Sequence, residues 1–404
     1  MQNIEIDKRV LNTINLLKDN GYDAYIVGGF VRDICLGAKP KDFDIATNAT
    51  PDQIKSIFKF RCRIIGKRFK LAHIVYKNYI IEVATFRRDA KDANSSKISQ
   101  NGMLLRDNNY GSLEEDVLRR DFTVNALYYD PISNTVIDFF NGLEDLKLKQ
   151  LVLIRKPSVS YKEDPVRMLR AIRFMAKLDF SISESDRLSI LKYGYLLKDI
   201  SRARIFEEIL KFFHYGNGVK SYTLLAQYNI LPILLPMLKR QDKAQFNSIE
   251  KIHLLSLSFA DKRFKSGKSL NSAFIFSVFY WYGFEQSYSF FKSKGTLDDT
   301  ECFNRAASPV LSEVAKIFSM SKFNTEVIRE IWNLQNLLIS KSSNDLKEAL
   351  RSYRFRAAYD LLILRSLNEG NKYSTEILFW KEMQRLTNRE QNIIFEKIAN
   401  SNMV

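Results

Sequence analysis

Histidine and cysteine are scarce in this chain, with three of each in 404 residues. Cys35, Cys62 and Cys302 are scattered and never form a CxxC pair, which argues against a disulfide framework and a cysteine-ligated zinc site and fits a reducing compartment. His73, His214 and His253 are too dispersed for a histidine-rich metal cluster, and there is no His-Asp dipeptide, so any metal is expected on oxygen. Long apolar runs are also missing. The greasiest stretch, "SAFIFSVFYWYGF", stops well short of the roughly 18 residues that cross a bilayer. The N-terminus "MQNIEIDKRVLNTINLLKDN" has neither the basic start and apolar run nor the cleavage site of a signal peptide. A cytoplasmic protein with no membrane partner is expected.

What is present is positive charge and hydrophobic bulk. The 62 Lys and Arg outnumber the 46 Asp and Glu to give a net charge of +16, which favours polyanion partners, nucleic acid first. With 46% hydrophobic residues the chain can bury two or three domains. Eight of the fifteen glycines and four of the eight prolines fall within the first 157 residues. There, short β-branched and aromatic runs ("AYIV", "HIVY", "YIIEVATF", "TVIDFF") are cut by turn signals, the texture of a mixed α/β domain. Beyond residue 165 only three prolines remain, and apolar residues recur at spacings of three and four, as in "VRMLRAIRFMAKL" and "RAAYDLLILRSL". The remainder therefore reads as helical, without a repeat at fixed period. Thr50 with Pro51 and Gln53, and Ser112 with Glu115, predict capped helix starts. The polar stretch from Arg88 to Gln100 reads as a mobile loop.

The chemistry concentrates in "PKDFDIATNAT", residues 40 to 50. Residues two apart on a strand share a face, so Asp42 and Asp44 aim two carboxylates together while Phe43 turns to the core. Such a pair either caps a solvated strand end or holds a divalent cation; magnesium takes one or two carboxylates plus substrate phosphates, and two ions clamp an in-line displacement at phosphorus. Just upstream, "YIVGGFVRDICLG" reads as strand, Gly28-Gly29 turn and helix, with Arg32 in the first helical turn, a combination that brings N–H groups and a cation near phosphate.

The motifs "IVGGFVRDICLG…KDFDIATNATPDQI", "IEVATFRRD", "LRRDFTVNALYYD" and "EDPVRMLRAIRF" resemble, in order, the class II nucleotidyltransferase family of bacterial poly(A) polymerases and CCA-adding enzymes. The resemblance covers residues 20 to 235, with weaker echoes further on. It implies an α+β fold: a small mixed-sheet catalytic head (1–150), then an all-helical neck (151–235) and a body and tail (236–404). It also implies Asp42 and Asp44 as metal-binding catalytic residues for two Mg²⁺ ions, with Mn²⁺ as a substitute. Gly28, Gly29 and Arg32 become the triphosphate cradle, Arg119, Arg120 and Asp121 lie near sugar and phosphates, and Asp121 is a candidate third acid. Glu82, mid-strand in "YIIEVATF", is either a third carboxylate for the metals or a structural partner for an arginine.

In "EDPVRMLRAIRF" a helix beginning at Pro165 sets Glu163, Asp164, Arg167 and Arg170 on one side and Met168, Leu169, Ile172 and Met175 on the other. On spacing alone this is a surface ion-pair row. The resemblance instead has Asp164 and Arg167 read the incoming base, and a carboxylate and a guanidinium do complement the N6 amine and N1 of adenine. Cytosine presents a similar edge, so this pair does not separate an ATP-only enzyme from one that also adds CTP. The branch is suggested by "CRIIGKRFKLAHI", whose Lys67, Arg68 and Lys70 suit a single strand and resemble the poly(A) polymerases; as bare residues they are equally an exposed basic turn. Arg202 and Arg204 join them as RNA-binding candidates of the neck. The implied activity is ATP-dependent 3′-adenylation of RNA, with ATP as substrate, the RNA 3′ end and RNA-decay proteins as partners, and a monomeric state. A CCA-adding enzyme, a catalytically silent RNA-binding scaffold and a uridylyltransferase are the alternatives. Unlike many poly(A) polymerases, the chain ends at "IIFEKIANSNMV" without a basic run.

Overall fold

A computed structural model describes residues 5–38, 40, 43–66, 70–88, 97–98, 104–106, 109–240, 242–340 and 342–401. The chain divides into two compact units, residues 1–198 and 199–404. Asp42, Lys67, Arg68 and most of the expected Arg88–Gln100 loop lie outside the described residues. Lys97–Ile98, expected as loop, pair antiparallel with Leu104–Arg106.

The first unit is built on a seven-stranded sheet. Its strands are β1 (Ala24–Val27), β2 (Asp44–Thr47), β3 (Cys62–Ile65), β4 (Leu71–Tyr76) and β5 (Tyr79–Thr85), then, beyond the short ribbon of β6 (Lys97–Ile98) and β7 (Leu104–Arg106), β8 (Tyr128–Asp130) and β9 (Thr135–Ile137). They lie in the order β3-β4-β5-β2-β1-β8-β9, antiparallel throughout except for β2 against β5. The runs read as strands in the sequence supply β1, β4, β5 and β9, because alternating apolar residues have one face to bury. Ile26, Ile45, Ile74, Ile81 and Val83, all fully buried, form one face. On the other, Val27, Ala46, Phe86, Val117, Ala126 and Tyr128 make a second cluster, but that face opens at the start of β2, where Asp44 and Glu82 are exposed.

Helices of this unit are α1 (Lys8–Asp19), α2 (Gly29–Cys35), α3 (Pro51–Phe58), α4 (Leu113–Leu118), α5 (Gly142–Lys147), α6 (Pro157–Glu163), α7 (Val166–Leu178) and α8 (Glu184–Tyr193). Both expected capping boxes form, Thr50 with Gln53 on α3 and Ser112 with Glu115 on α4. The expected helix forms, with Pro165 as its N-cap and Val166 as its first residue, but Glu163 and Asp164 do not belong to it. Asp164, forced out of helical geometry by the proline that follows (φ −143°, ψ 94°), separates α6 from α7, so Glu163 ends one helix and Arg167 and Arg170 belong to the next. Met168, Leu169, Ile172 and Met175 are buried as expected.

The second unit is helical in its described residues, from Arg202–Phe213 to Asn388–Ser401. Its aromatic residues are mostly core: Phe276, Phe279, Phe318, Trp332 and Trp380 are essentially inaccessible. His253, stacked on Phe279 at 4.3 Å, bonds to the Tyr222 hydroxyl and the Phe279 carbonyl, and burial holds its pKa down at about 3. No helix among the described residues is long and apolar enough to cross a membrane.

Candidate active site

The site follows from strand register. Asp44 opens β2 directly opposite Val27, the last residue of β1, and opposite Glu82 on β5. Directly paired residues point to the same face, so the row continues from Asp44 through Glu82 to His73 on β4. Along β5, Glu82 shares the outer face with Ile80 and Ala84 while Ile81, Val83 and Thr85 turn inward. Its neighbour is His73, whose Nε2 lies 3.5 Å from Glu82 Oε1. Phe43, before the strand, packs on Phe30 with centroids 4.5 Å apart, the inward turn expected of it.

Gly28 follows Val27 at once, so the glycine turn stands beside Asp44. Gly28 has φ 69° and ψ −125°, a conformation that glycine alone adopts readily, and it is the residue before α2. Two guanidinium groups lie close beneath the turn. A Cβ on Gly29 would meet Arg32 Nη2 at 3.4 Å, and one on Gly28 would meet Arg120 Nη1 at 3.7 Å.

Both arginines are held by buried or half-buried partners. Arg32, 4% exposed, donates through Nε and Nη2 to Asp33 Oδ1 and through Nη1 to Asn125 Oδ1 at 2.6 Å. Asn125 Nδ2 in turn donates to Asp121 Oδ1, which also accepts from the Phe122 N–H, while Asp121 Oδ2 accepts from Arg170 Nε at 2.5 Å. Burial pushes the Asp121 carboxyl up, but Arg170 and these hydrogen bonds outweigh it and hold its pKa at about 2. Arg120 donates from Nε to the Tyr128 hydroxyl and from Nη2 to Asp116 Oδ2, which also accepts from that hydroxyl. Burial opposes the charge on Arg120, yet Tyr128 and Asp116 raise its pKa above the usual value; burial likewise raises that of Tyr128.

On α7, Arg167 donates to Ser160 Oγ and, through Nη2, to the backbone carbonyl of Arg119, both at 2.8 Å. Asp164 Oδ1 accepts from the Val166 N–H at the start of the same helix. Thus Arg32, Arg119, Arg120, Asp121, Arg167 and Arg170 form one connected set with the glycine turn. Lys70 lies exposed just before β4. Arg202 and Arg204 lie within the first turn of a helix of the second unit. Asn125, Asp116 and Tyr128 were not singled out in the sequence. Their signal was only proximity to "RRD" in "LRRDFTVNALYYD", since an Asn and a Tyr carry no pattern of their own.

Comparison with known proteins agrees with this geometry. Residues 24–152 match the model of the poly A polymerase head domain, 179–242 that of the probable RNA and SrmB-binding site of polymerase A, and 295–403 that of the polymerase A arginine-rich C-terminus. Poly(A) polymerase I of Haemophilus influenzae is 43% identical over 391 residues, covering 96% of this chain and 86% of that protein. A CCA-adding enzyme of Streptococcus pyogenes is 35% identical over 245 residues, 60% of this chain and 58% of that protein. A solved tRNA-processing enzyme shares the fold, with a TM-score of 0.63 at 23% identity over 96% of this chain and 99% of that one. The chain therefore belongs to the class II nucleotidyltransferase family, in its bacterial poly(A) polymerase branch.

Proposed function

We propose that this chain is a template-independent polynucleotide adenylyltransferase that adds AMP from ATP to RNA 3′ ends and releases pyrophosphate. The observation that carries the reading is the near full-length likeness to poly(A) polymerase I, joined to a site in which Asp44 and Glu82 stand in register beside a glycine turn backed by two arginines. In this reading residues 1–150 are the catalytic head, 151–235 the neck and 236–404 the body and tail. Its setting is the cytoplasm, its role mRNA polyadenylation that promotes decay, and its state a monomer.

The donor set at the mouth of β2 is carboxylate oxygen, which fits a hard divalent cation such as Mg²⁺, or Mn²⁺ in its place. Asp42 and Asp44 would hold it, with Glu82 level on the next strand. A pair of such ions supplies a Lewis acid to the attacking hydroxyl and offsets charge on the departing pyrophosphate. The protein's own part is position and field. The RNA 3′ oxygen attacks the α-phosphorus of ATP as the bond to pyrophosphate breaks, and the Gly28–Gly29 turn with Arg32 and Arg120 receives the phosphate charge. Asp121 keeps Arg170 and Asn125 in place, and Asn125 in turn fixes Arg32, so this acid acts by positioning cations. Arg119 contacts the sugar, and Asp164 with Arg167 reads the base. Lys67, Arg68 and Lys70, with Arg202 and Arg204, draw in the RNA strand.

The test is extension of an unstructured RNA primer by the full chain with each nucleotide supplied separately. Long tails are expected with ATP and Mg²⁺, none with EDTA, and loss of most transfer in Asp42→Ala and Asp44→Ala proteins that still fold. The Michaelis constant for primer should rise steeply with salt. Two CTP additions to tRNA lacking its end, or a near-parental rate in either alanine variant, overturns the reading.

A further inference from the structure

We propose that His73 is a positioning residue for the acidic pair, with its Nε2–H donating to Glu82 and fixing that carboxylate beside Asp44. The inference rests on the adenylyltransferase reading for its effect on rate, and on geometry alone for the contact itself.

His73 Nε2 is shut off from solvent and has no hydrogen-bond partner within normal distance, although the ring as a whole is a fifth exposed. A buried imidazole nitrogen left unpaired costs about 1–3 kcal/mol, so this atom calls for an acceptor. The acceptor at hand is Glu82 Oε1, at 3.5 Å. The separation exceeds the 2.7–3.2 Å of a formed bond, and a small torsion of the glutamate closes it. Contacts of this kind commonly tighten when substrate binds.

The backbone keeps the two groups together. His73 and Glu82 are directly paired on β4 and β5, within a hairpin registered from Ala72↔Val83 to Tyr76↔Tyr79. The same row places Glu82 directly beside Asp44 on β2. Glu82 is half exposed, so without a donor its long side chain samples several rotamers. A donor fixed on the neighbouring strand selects the rotamers that keep an oxygen at the level of Asp44. Groups that orient a metal-facing carboxylate typically matter by about 10–100-fold.

The experiment compares the parent with His73→Phe, His73→Gln, Glu82→Gln and the His73→Phe/Glu82→Gln double variant. With oligo(A) primer, His73→Phe should lower kcat about tenfold and leave KM for ATP and primer within about twofold. Glutamine carries an N–H near the Nε2 position and should restore kcat to within about threefold of the parent. The double variant should be little worse than Glu82→Gln alone, because the two residues act as one unit. A second readout needs neither metal nor activity. With three histidines in the chain, nitrogen-15 spectra of the metal-free protein should show His73 as the Nε2–H tautomer, with a resonance that shifts in Glu82→Gln. An unprotonated Nε2, an unshifted resonance, or a His73→Phe kcat within twofold of the parent overturns the proposal. Should His73→Phe fail to fold, the glutamine variant and the spectra decide. Failure of the parent to use ATP would sink the functional reading instead, and the spectra would still judge the contact.

Discussion

Replacing Arg170 with Met removes the cation that holds Asp121, and the consequence can be sized from the site. Asp121 is buried, and its pKa of about 2 lies just under two units below the ordinary 3.8. That difference is worth about 2–3 kcal/mol at neutral pH. Without Arg170, the carboxylate keeps only Asn125 and the Phe122 N–H, while the burial that opposes its charge remains. Arg170 is itself a third exposed, so part of its attraction is already screened and the loss should be about 2–3 kcal/mol rather than the 3–5 of a fully buried pair. The sign with pH is fixed. Because the folded pKa is depressed, the stabilisation is complete above about pH 4 and disappears as pH falls toward 2, so parent and variant converge on acidification. The assay uses residue placement. All three tryptophans, Trp281, Trp332 and Trp380, lie in the second unit, whereas buried Cys62 lies in the first. Pulsed alkylation of Cys62 across a urea gradient reads the unit that contains Asp121, and tryptophan fluorescence reads the other. A Cys62 midpoint that moves by less than about 0.5 kcal/mol at pH 7, or a gap that widens toward pH 3, would refute the reasoning.

Two further outcomes follow from the same structure. His253, whose pKa burial depresses to about 3, makes the second unit lose stability as pH drops from about 6.5, since the unfolded chain takes up a proton that the native state refuses. His253→Gln should flatten the tryptophan-detected slope between pH 6.5 and 4.5, leaving a residue from His214, also depressed by burial. Gly28→Ala places a side chain at φ 69°, and should cost about 1–3 kcal/mol and raise KM for ATP, measured by thermal melts and initial rates. An unchanged melt would show the turn to be relaxed.

The parts of this molecule that carry a local signal were legible from the chain. Alternation in "YIIEVATF" sets Glu82 on one face with Ile80 and Ala84, and Thr50 and Ser112 announced their helices, because each rests on neighbours within a few residues. The helix start at Pro165 was legible from the proline, whereas the separate helix that ends at Glu163 was not, because "SVSYKE" carries little apolar periodicity of its own. What spacing did not disclose is long-range pairing. Asp121 is a candidate third acid in "RRDF", and nothing in that stretch shows that Arg170 reaches it from another helix or that Asn125 ties it to Arg32. Beside Glu82, read as either a metal carboxylate or an arginine partner, the structure sets a histidine on the adjoining strand, its Nε2 3.5 Å from Oε1.

The parallel pairing of β2 with β5 sets an order on biosynthesis. Asp44 and Glu82 lie roughly forty residues apart in the chain, so at about 5–20 residues per second the ribosome releases the first some 2–8 seconds before the second. Until then β2 has only β1 for company and an unpaired flank. The hairpin of β4 and β5 closes through a tight local connection at Tyr76 and Tyr79, so His73 and Glu82 need no distant partner to pair with each other. Asp44 thus gains Glu82 as its level neighbour only once that flank is sealed.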